Sequence, residues 1–196
     1  MSISENKNPI ELFSDWMARA EDGEPHEPEA AALATADANG RPSVRMVLIK
    51  DWSDEGFVFF TNLNSRKAKE LAQNPHAALC FHWKSNRRQV RIEGSVEPVE
   101  DAVADAYFTT RDRGSQIGAW ASRQSSPMEG RFALEREIVK FTAKFGVSRI
   151  PRPEFWSGFR IVPKMIEFWS SGEFRLHNRL VYYRDGDSWR TERLFP

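Results

Sequence analysis

The stretch HAALCFHWKSNRRQVRIEGSVEPV, residues 76–99, decides how the chain is read. Its second half alternates: Val90, Ile92 and Val96 fall on one face, and Gln89, Arg91, Glu93 and Ser95 on the other. A period of two belongs to a strand with one face buried. Its first half, HAALCFHW, is an apolar run of strand length, and KSNR between the halves is a polar turn. Strands joined by so short a connection pair antiparallel.

The same pattern recurs on both sides. AAALATAD, residues 30–37, leads through Asn39-Gly40, a two-residue hairpin signal, into SVRMVLIKDW, residues 43–52. SDEG turns the chain into FVFFT, residues 57–61. Late in the chain come FRIVP, MIEFW, and RLVYYR turning at Asp185-Gly186 into SWRTERL. Helices are expected over 8–21, with Asn8 as cap and Pro9 in the first turn, and over 65–74, with Ser65 as cap. Further helices are expected over 99–110, over 111–120, and over 126–145 with Ser126 as cap. Six to eight antiparallel strands with a few helices imply a mainly β protein, a barrel with helices packed outside it. No Gly-rich phosphate loop follows a strand, so a doubly wound nucleotide fold is not expected.

A chain of 196 residues can bury roughly 70% of its unfolded surface and needs no disulfide or metal staple. The net charge of zero argues against a nucleic-acid partner. One cysteine, Cys80, excludes an intrachain disulfide, and its apolar surroundings suggest a small core residue. The four histidines show no metal-ligand spacing, so no metal is expected. The N-terminus has no secretory apolar segment, and no run of about 18 apolar residues could span a membrane. A soluble cytoplasmic protein is expected. Aromatic residues make up 12%, which suits a large aromatic core or a flat ring-shaped ligand.

Four groups of polar residues stand out. Arg45 and Lys50 bracket the apolar strand RMVLIK and, at that spacing, point to opposite faces. Arg66 and Lys67 occupy the first turn of a helix, where cations oppose the helix dipole. Beside free backbone N–H groups they can instead hold a phosphate. Tyr107, Arg111 and Ser115 recur at i, i+4 and i+8, one stripe on a continuous helix, and all three donate hydrogen bonds to phosphate oxygens. Arg175, His177 and Arg179 would share one face of a strand, an arrangement that costs free energy unless an anion lies there. Each group alone also fits a solvated surface. Together they provide for two phosphates among many rings, as a phosphorylated flat-ring cofactor and a phosphorylated substrate would require.

The blocks RMVLIK, FFTNLNSRKAKEL, RQVRIEG, SQIGAWASRQSS, FWSGFR and IEFWSSGEFRLHNR occur in this order. They resemble the pyridoxine/pyridoxamine 5′-phosphate oxidase family from about residue 31 to the C-terminus. The resemblance implies an antiparallel FMN-binding split β-barrel with peripheral helices, a single domain over 1–196 in which 1–30 form an N-terminal helix and linker. It implies a homodimer with FMN at the subunit interface. The implied reaction is oxidation of pyridoxamine or pyridoxine 5′-phosphate to pyridoxal 5′-phosphate, with O2 as acceptor and H2O2 as product. Implied FMN contacts are Arg45, Met46, Val47, Leu48, Ile49, Lys50, Phe60, Thr61, Arg66, Lys67, Gln89, Gln124, Ser125, Trp169 and Arg179. Implied substrate contacts are Lys50, Tyr107, Arg111, Ser115, Arg175 and His177, the last two being the catalytic candidates. Because the sequence begins close to its first helix, the longer N-terminal arm of some relatives is not expected here. Two other readings stay open: a related flavin oxidase acting on another aromatic compound such as a phenazine precursor, and a non-enzymatic protein that binds flavin or pyridoxal phosphate.

Overall fold

The computed structural model describes Ile3 and residues 7–196, so the approach to the first helix lies largely outside the described residues. In chain order the elements are α1 (Pro9–Gly23), β1 (Ala30–Ala36), β2 (Pro42–Ser53), β3 (Gly56–Asn62), α2 (Arg66–Gln73), β4 (His76–Trp83) and β5 (Arg88–Pro98). There follow α3 (Asp101–Thr110), α4 (Arg113–Ala121), α5 (Ala133–Phe145), β6 (Trp156–Ser170), β7 (Asn178–Asp185) and β8 (Ser188–Leu194). The strands run in the order β3-β2-β1-β4-β5-β6-β7-β8, every pair antiparallel. A further β3–β6 pairing closes the first six into a barrel.

The barrel is split because β6 serves two partners in succession. Its first half pairs with β3 from Trp156↔Asn62 to Ile161↔Phe57. Its second half leaves the barrel seam and pairs with β7 from Met165↔Tyr183 to Ser170↔Asn178. FRIVP and MIEFW, expected as separate strands, are therefore one long strand. The register shift at Glu93/Gly94 opposite Pro163 and Met165 absorbs Lys164 as a bulge, which a proline in a strand favours.

In the hairpin of residues 76–99, Val90, Ile92 and Val96 are buried and the pairing runs from His76↔Ser95 to Trp83↔Arg88. Cys80 corrects its expected place: it lies half-buried on the outward face opposite Arg91, because Leu79 and Phe81 take the inward positions. α1 begins as expected, with the Asn8 side chain accepting from the Ile10 N–H and Pro9 at the first position. It closes one end of the barrel. Phe13 is fully buried there, with Trp52, Phe57 and Phe81 ring centroids 4.9–5.4 Å away, and Trp16 meets Phe168 edge-on.

Two other expectations change. The β1–β2 connection is a loop over 37–41, because Ala36 pairs with Pro42 and the Asp37 carboxylate accepts from the Asn39 and Arg41 N–H groups. The helix expected from Ser126 begins only at Ala133. Ser125 and Gly130 adopt positive φ, and no side chain caps the late start at Phe132. A second apolar cluster, built on Phe108, Ile117, Phe145, Ile150 and Trp156, fixes α3, α4 and α5 against the barrel.

Candidate active site

A cavity of about 470 Å³ lies between β2, β3, the start of α2, and the α3–α4 layer. β2 contributes Met46, Val47, Leu48 and Lys50, and β3 contributes Phe60 and Thr61. The register of β2 against β3 shifts between Ile49 and Asp51, so Lys50 sits in a bulge that aims it into the space. Lys67 enters from α2, Gln124 from the loop after α4, and Tyr107, Arg111 and Ser115 from α3 and α4.

The Tyr107–Arg111–Ser115 stripe does not lie on one helix. The chain breaks at Arg111, whose backbone is extended, and Asp112 caps α4 by accepting from the Ser115 N–H at 2.8 Å. The three side chains converge nonetheless. Phe60, Tyr107 and Trp156 lie nearly parallel, with interplanar angles of 3–12°, and form an aromatic wall.

The cations differ in how they are held. Lys50 donates to Glu29 at 2.8 Å. Arg45 turns away from the cavity and donates to the Leu33 carbonyl, Thr35, Ser43 and Glu70. Arg66 donates through Nε to Glu70 at 2.8 Å and is otherwise exposed. Burial would raise the Glu70 carboxyl, but hydrogen bonds from Ser43, Thr35 and Arg66 and the charge of Arg45 bring it down to about 2. Lys67 donates to Thr61 Oγ1 at 3.0 Å, and burial, aided by the charge of Arg45, pushes its pKa down. Arg111 is held by rings: its Cζ lies 4.8 Å from the Trp156 centroid and 5.7 Å from that of Phe108. Its Nη1 is buried without a hydrogen-bond partner, and burial lowers its pKa.

The phosphate cradle expected at α2 is thus divided. Lys67 faces the cavity, while Arg66 and Arg45 gather on Glu70 behind it. The helix N-terminus is occupied by hydroxyls, with Ser65 Oγ accepting from the Ala68 N–H and Ser125 Oγ from the Arg66 N–H. Ile49 is buried in the core.

A second group lies outside the cavity. Gln89 pairs with Trp169, and Trp169 with Arg179, across β5, β6 and β7. The His177 ring lies 4.7 Å from Trp169, and its Nδ1 accepts from the Gly172 N–H at 3.3 Å. The expected shared strand face of Arg175, His177 and Arg179 is not formed. β7 begins only at Asn178, and Phe174 and Arg175 both have positive φ in a short 3-10 turn. Arg179 alone is in the strand, and it donates to buried Glu167 at 2.6 Å. Trp156, Asn62, Gly118, Ala119 and Ser122 also line the cavity and escaped the reading of the residues. Trp156 lay within the block FWSGFR, but only the β3–β6 pairing sets it opposite Asn62.

Residues 19–145 match the family described as pyridoxamine 5′-phosphate oxidase. The chain belongs to the pyridoxamine 5′-phosphate oxidase family. Residues 156–196 match the pyridoxine 5′-phosphate oxidase C-terminal dimerisation region. Pyridoxine/pyridoxamine 5′-phosphate oxidase of Rhodospirillum rubrum is 55% identical over 100% of both chains. The Brucella anthropi protein of that name is 55% identical over 99% of this chain and 97% of its own. Among solved structures, PhzG from Burkholderia lata 383, in complex with tetrahydrophenazine-1-carboxylic acid, has a TM-score of 0.92 at 35% identity, covering 98% of this chain and 95% of that one. A pyridoxamine 5′-phosphate oxidase-related, FMN binding protein from Nostoc punctiforme shares the fold, with a TM-score of 0.76 at 18% identity over 100% of both chains. Among the described residues no helix is long and apolar enough to cross a membrane.

Proposed function

We propose that this chain is an FMN-dependent oxidase that converts pyridoxamine or pyridoxine 5′-phosphate to pyridoxal 5′-phosphate, with O2 as acceptor and H2O2 as product. The observation that carries the reading is the cavity itself. It sets Lys50, Lys67, Tyr107, Arg111 and Ser115 around one space, with one guanidinium nitrogen buried and unpaired. A buried donor without a partner is costly, and an anionic ligand removes that cost. Full-length relatives at 55% identity point the same way.

The donor chemistry fits FMN. Lys67, Thr61 and Gln124 are linked by hydrogen bonds, with Arg66 and Ser125 directly behind them. We assign these residues, with the Met46–Lys50 segment and Phe60, to the cofactor, and Tyr107, Arg111, Ser115 and Lys50 to the substrate phosphate. Bound FMN supplies the two-electron oxidation of the substrate 4′ carbon and passes the electrons to O2. The protein would position the substrate against the flavin.

Gln89, Trp169, Arg175, His177 and Arg179 do not line this cavity, and we assign them to the same site through a second copy of the chain. The match of residues 156–196 to a dimerisation region supports a homodimer. His177 accepts at Nδ1 from the Gly172 N–H, which leaves Nε2 as the ring nitrogen to meet the substrate's oxygen. Arg175 stays charged and polarises the ring it meets.

Anaerobic mixing of the FMN-loaded protein with pyridoxamine 5′-phosphate tests this. Bleaching of the flavin band with formation of the aldehyde and ammonia, then peroxide on admitting air, is expected; an unbleached band refutes the reading. The PhzG complex motivates a second reading, an oxidase of tricyclic aromatic acids. Bleaching by a dihydrophenazine carboxylate but not by the pyridine phosphate would select it.

A further inference from the structure

Around the cavity, carboxylates neutralise most of the cations. Glu29 takes Lys50, and Glu70 takes both Arg45 and Arg66. Arg111 is different. Among the described residues no carboxylate forms an ion pair with it, although the charge of neighbouring Asp112 acts on it, and its guanidinium rests against Trp156 and Phe108. Trp156 is buried, and its own ring is fixed edge-on to Phe108 at 5.1 Å and in near-parallel stacks with Phe60 and Tyr107. An aromatic face attracts a guanidinium through its quadrupole without cancelling its charge or occupying its N–H groups. A carboxylate would do both.

We propose that Trp156 is the positioning residue for Arg111. By holding the guanidinium against its ring while leaving Nη1 free, it sets the affinity for the phosphate end of the substrate. The inference rests on the assignment of Arg111 to that phosphate. An interaction made equally with the bound substrate and the transition state changes KM and leaves kcat alone. Trp156 therefore acts on KM.

The test compares Trp156→Phe, which keeps an aromatic face, with Trp156→Met, which fills space without one. Both are assayed as FMN-loaded proteins with pyridoxamine 5′-phosphate. A cation–π contact of this kind corresponds to a change of roughly fivefold to tenfold. Trp156→Met is expected to raise KM by about that factor with kcat within about twofold, while Trp156→Phe stays within about threefold of wild-type KM. The inhibition constant of inorganic phosphate should rise in parallel in the Met variant alone. Equal KM changes in both variants, or none in either, overturn the proposal. So does loss of FMN affinity in both, which would make Trp156 a packing residue. A wild-type protein that does not oxidise the phosphorylated amine would instead overturn the substrate assignment. The clamp is then judged by inorganic-phosphate affinity in the same three FMN-loaded proteins: weaker binding in the Met variant alone upholds it, and equal affinities in all three overturn it.

Discussion

Replacing Glu70 by Gln removes one charge from a buried network and leaves its shape. The Glu70 carboxylate accepts from Thr35 at 2.5 Å, Ser43 at 2.6 Å, Arg66 at 2.8 Å and Arg45 at 3.3 Å, and its side chain is 7% exposed. Its carboxyl is held down to about 2 from an ordinary 4.5. At about 1.36 kcal/mol per unit, the ionised form stabilises the fold by about 3 kcal/mol at neutral pH. A depressed carboxyl contributes this above its unfolded value and loses it as pH falls toward the folded value. By linkage about 1.5 kcal/mol remains at pH 3. Gln does not titrate, so the gap between wild type and variant must close on the acid side. Urea unfolding of both proteins, at one protein and FMN concentration, should give a gap of about 3 kcal/mol at pH 7 and about half of it at pH 3. An equal gap at both pH values refutes the network as the source of the stabilisation.

Three further outcomes follow from the geometry. Arg66→Ala should weaken FMN binding by about threefold to tenfold in a fluorescence titration of the apoprotein, since the pairing with Glu70 leaves an incoming phosphate only part of the about 1.5–3 kcal/mol of a charge-assisted bond; unchanged affinity would remove Arg66 from the phosphate site. Arg175→Ala should lower turnover at saturating substrate far more than FMN affinity, because its place in the RLH segment assigns it to the substrate; wild-type turnover would contradict that. Gly94→Ala would put a Cβ 2.0 Å from the Val162 carbonyl oxygen at the β5–β6 bulge, so it should cost about 1–3 kcal/mol or more by thermal unfolding; wild-type stability would mean the bulge relaxes freely.

The strands were legible because each carries its own signal. The alternation in RQVRIEGSV and the apolar run in HAALCFHW need no knowledge of their neighbours. Barrel closure was not legible in this way. Nothing local to Trp156–Ile161 says that it pairs with β3, or that β6 passes unbroken through Pro163 by a bulge. The helix expected at Ser126 failed because a cap residue and a proline describe a start but cannot exclude Gly130 at positive φ downstream. Residue type and spacing singled out Tyr107, Arg111 and Ser115, which line one cavity although the helix that would align them is broken. They also suggested one surface for Arg175, His177 and Arg179, which backbone strain at Phe174 and Arg175 prevents. Spacing encodes proximity only where the backbone stays regular.

Partner identity is the information that spacing omits, and it decides what each cation can do. Arg45, Arg66 and Arg111 are alike in the sequence. In the fold, the first two share the anion Glu70 and the third rests on rings. A cation already paired with a buried carboxylate gives an incoming phosphate only the difference between two ion pairs, so it orders the site more than it attracts the ligand. A cation held by aromatic faces keeps its free N–H, and at Arg111, among the described residues, only the nearby charge of Asp112 offsets its field, so an anion entering the cavity gains more than it would from a paired cation. The cavity therefore divides its labour. On the proposed assignment, Glu70 fixes a basic wall behind Lys67, where a tightly held cofactor phosphate would profit from pre-organisation. Arg111 rests on Trp156, where a substrate would bind and leave in every turnover.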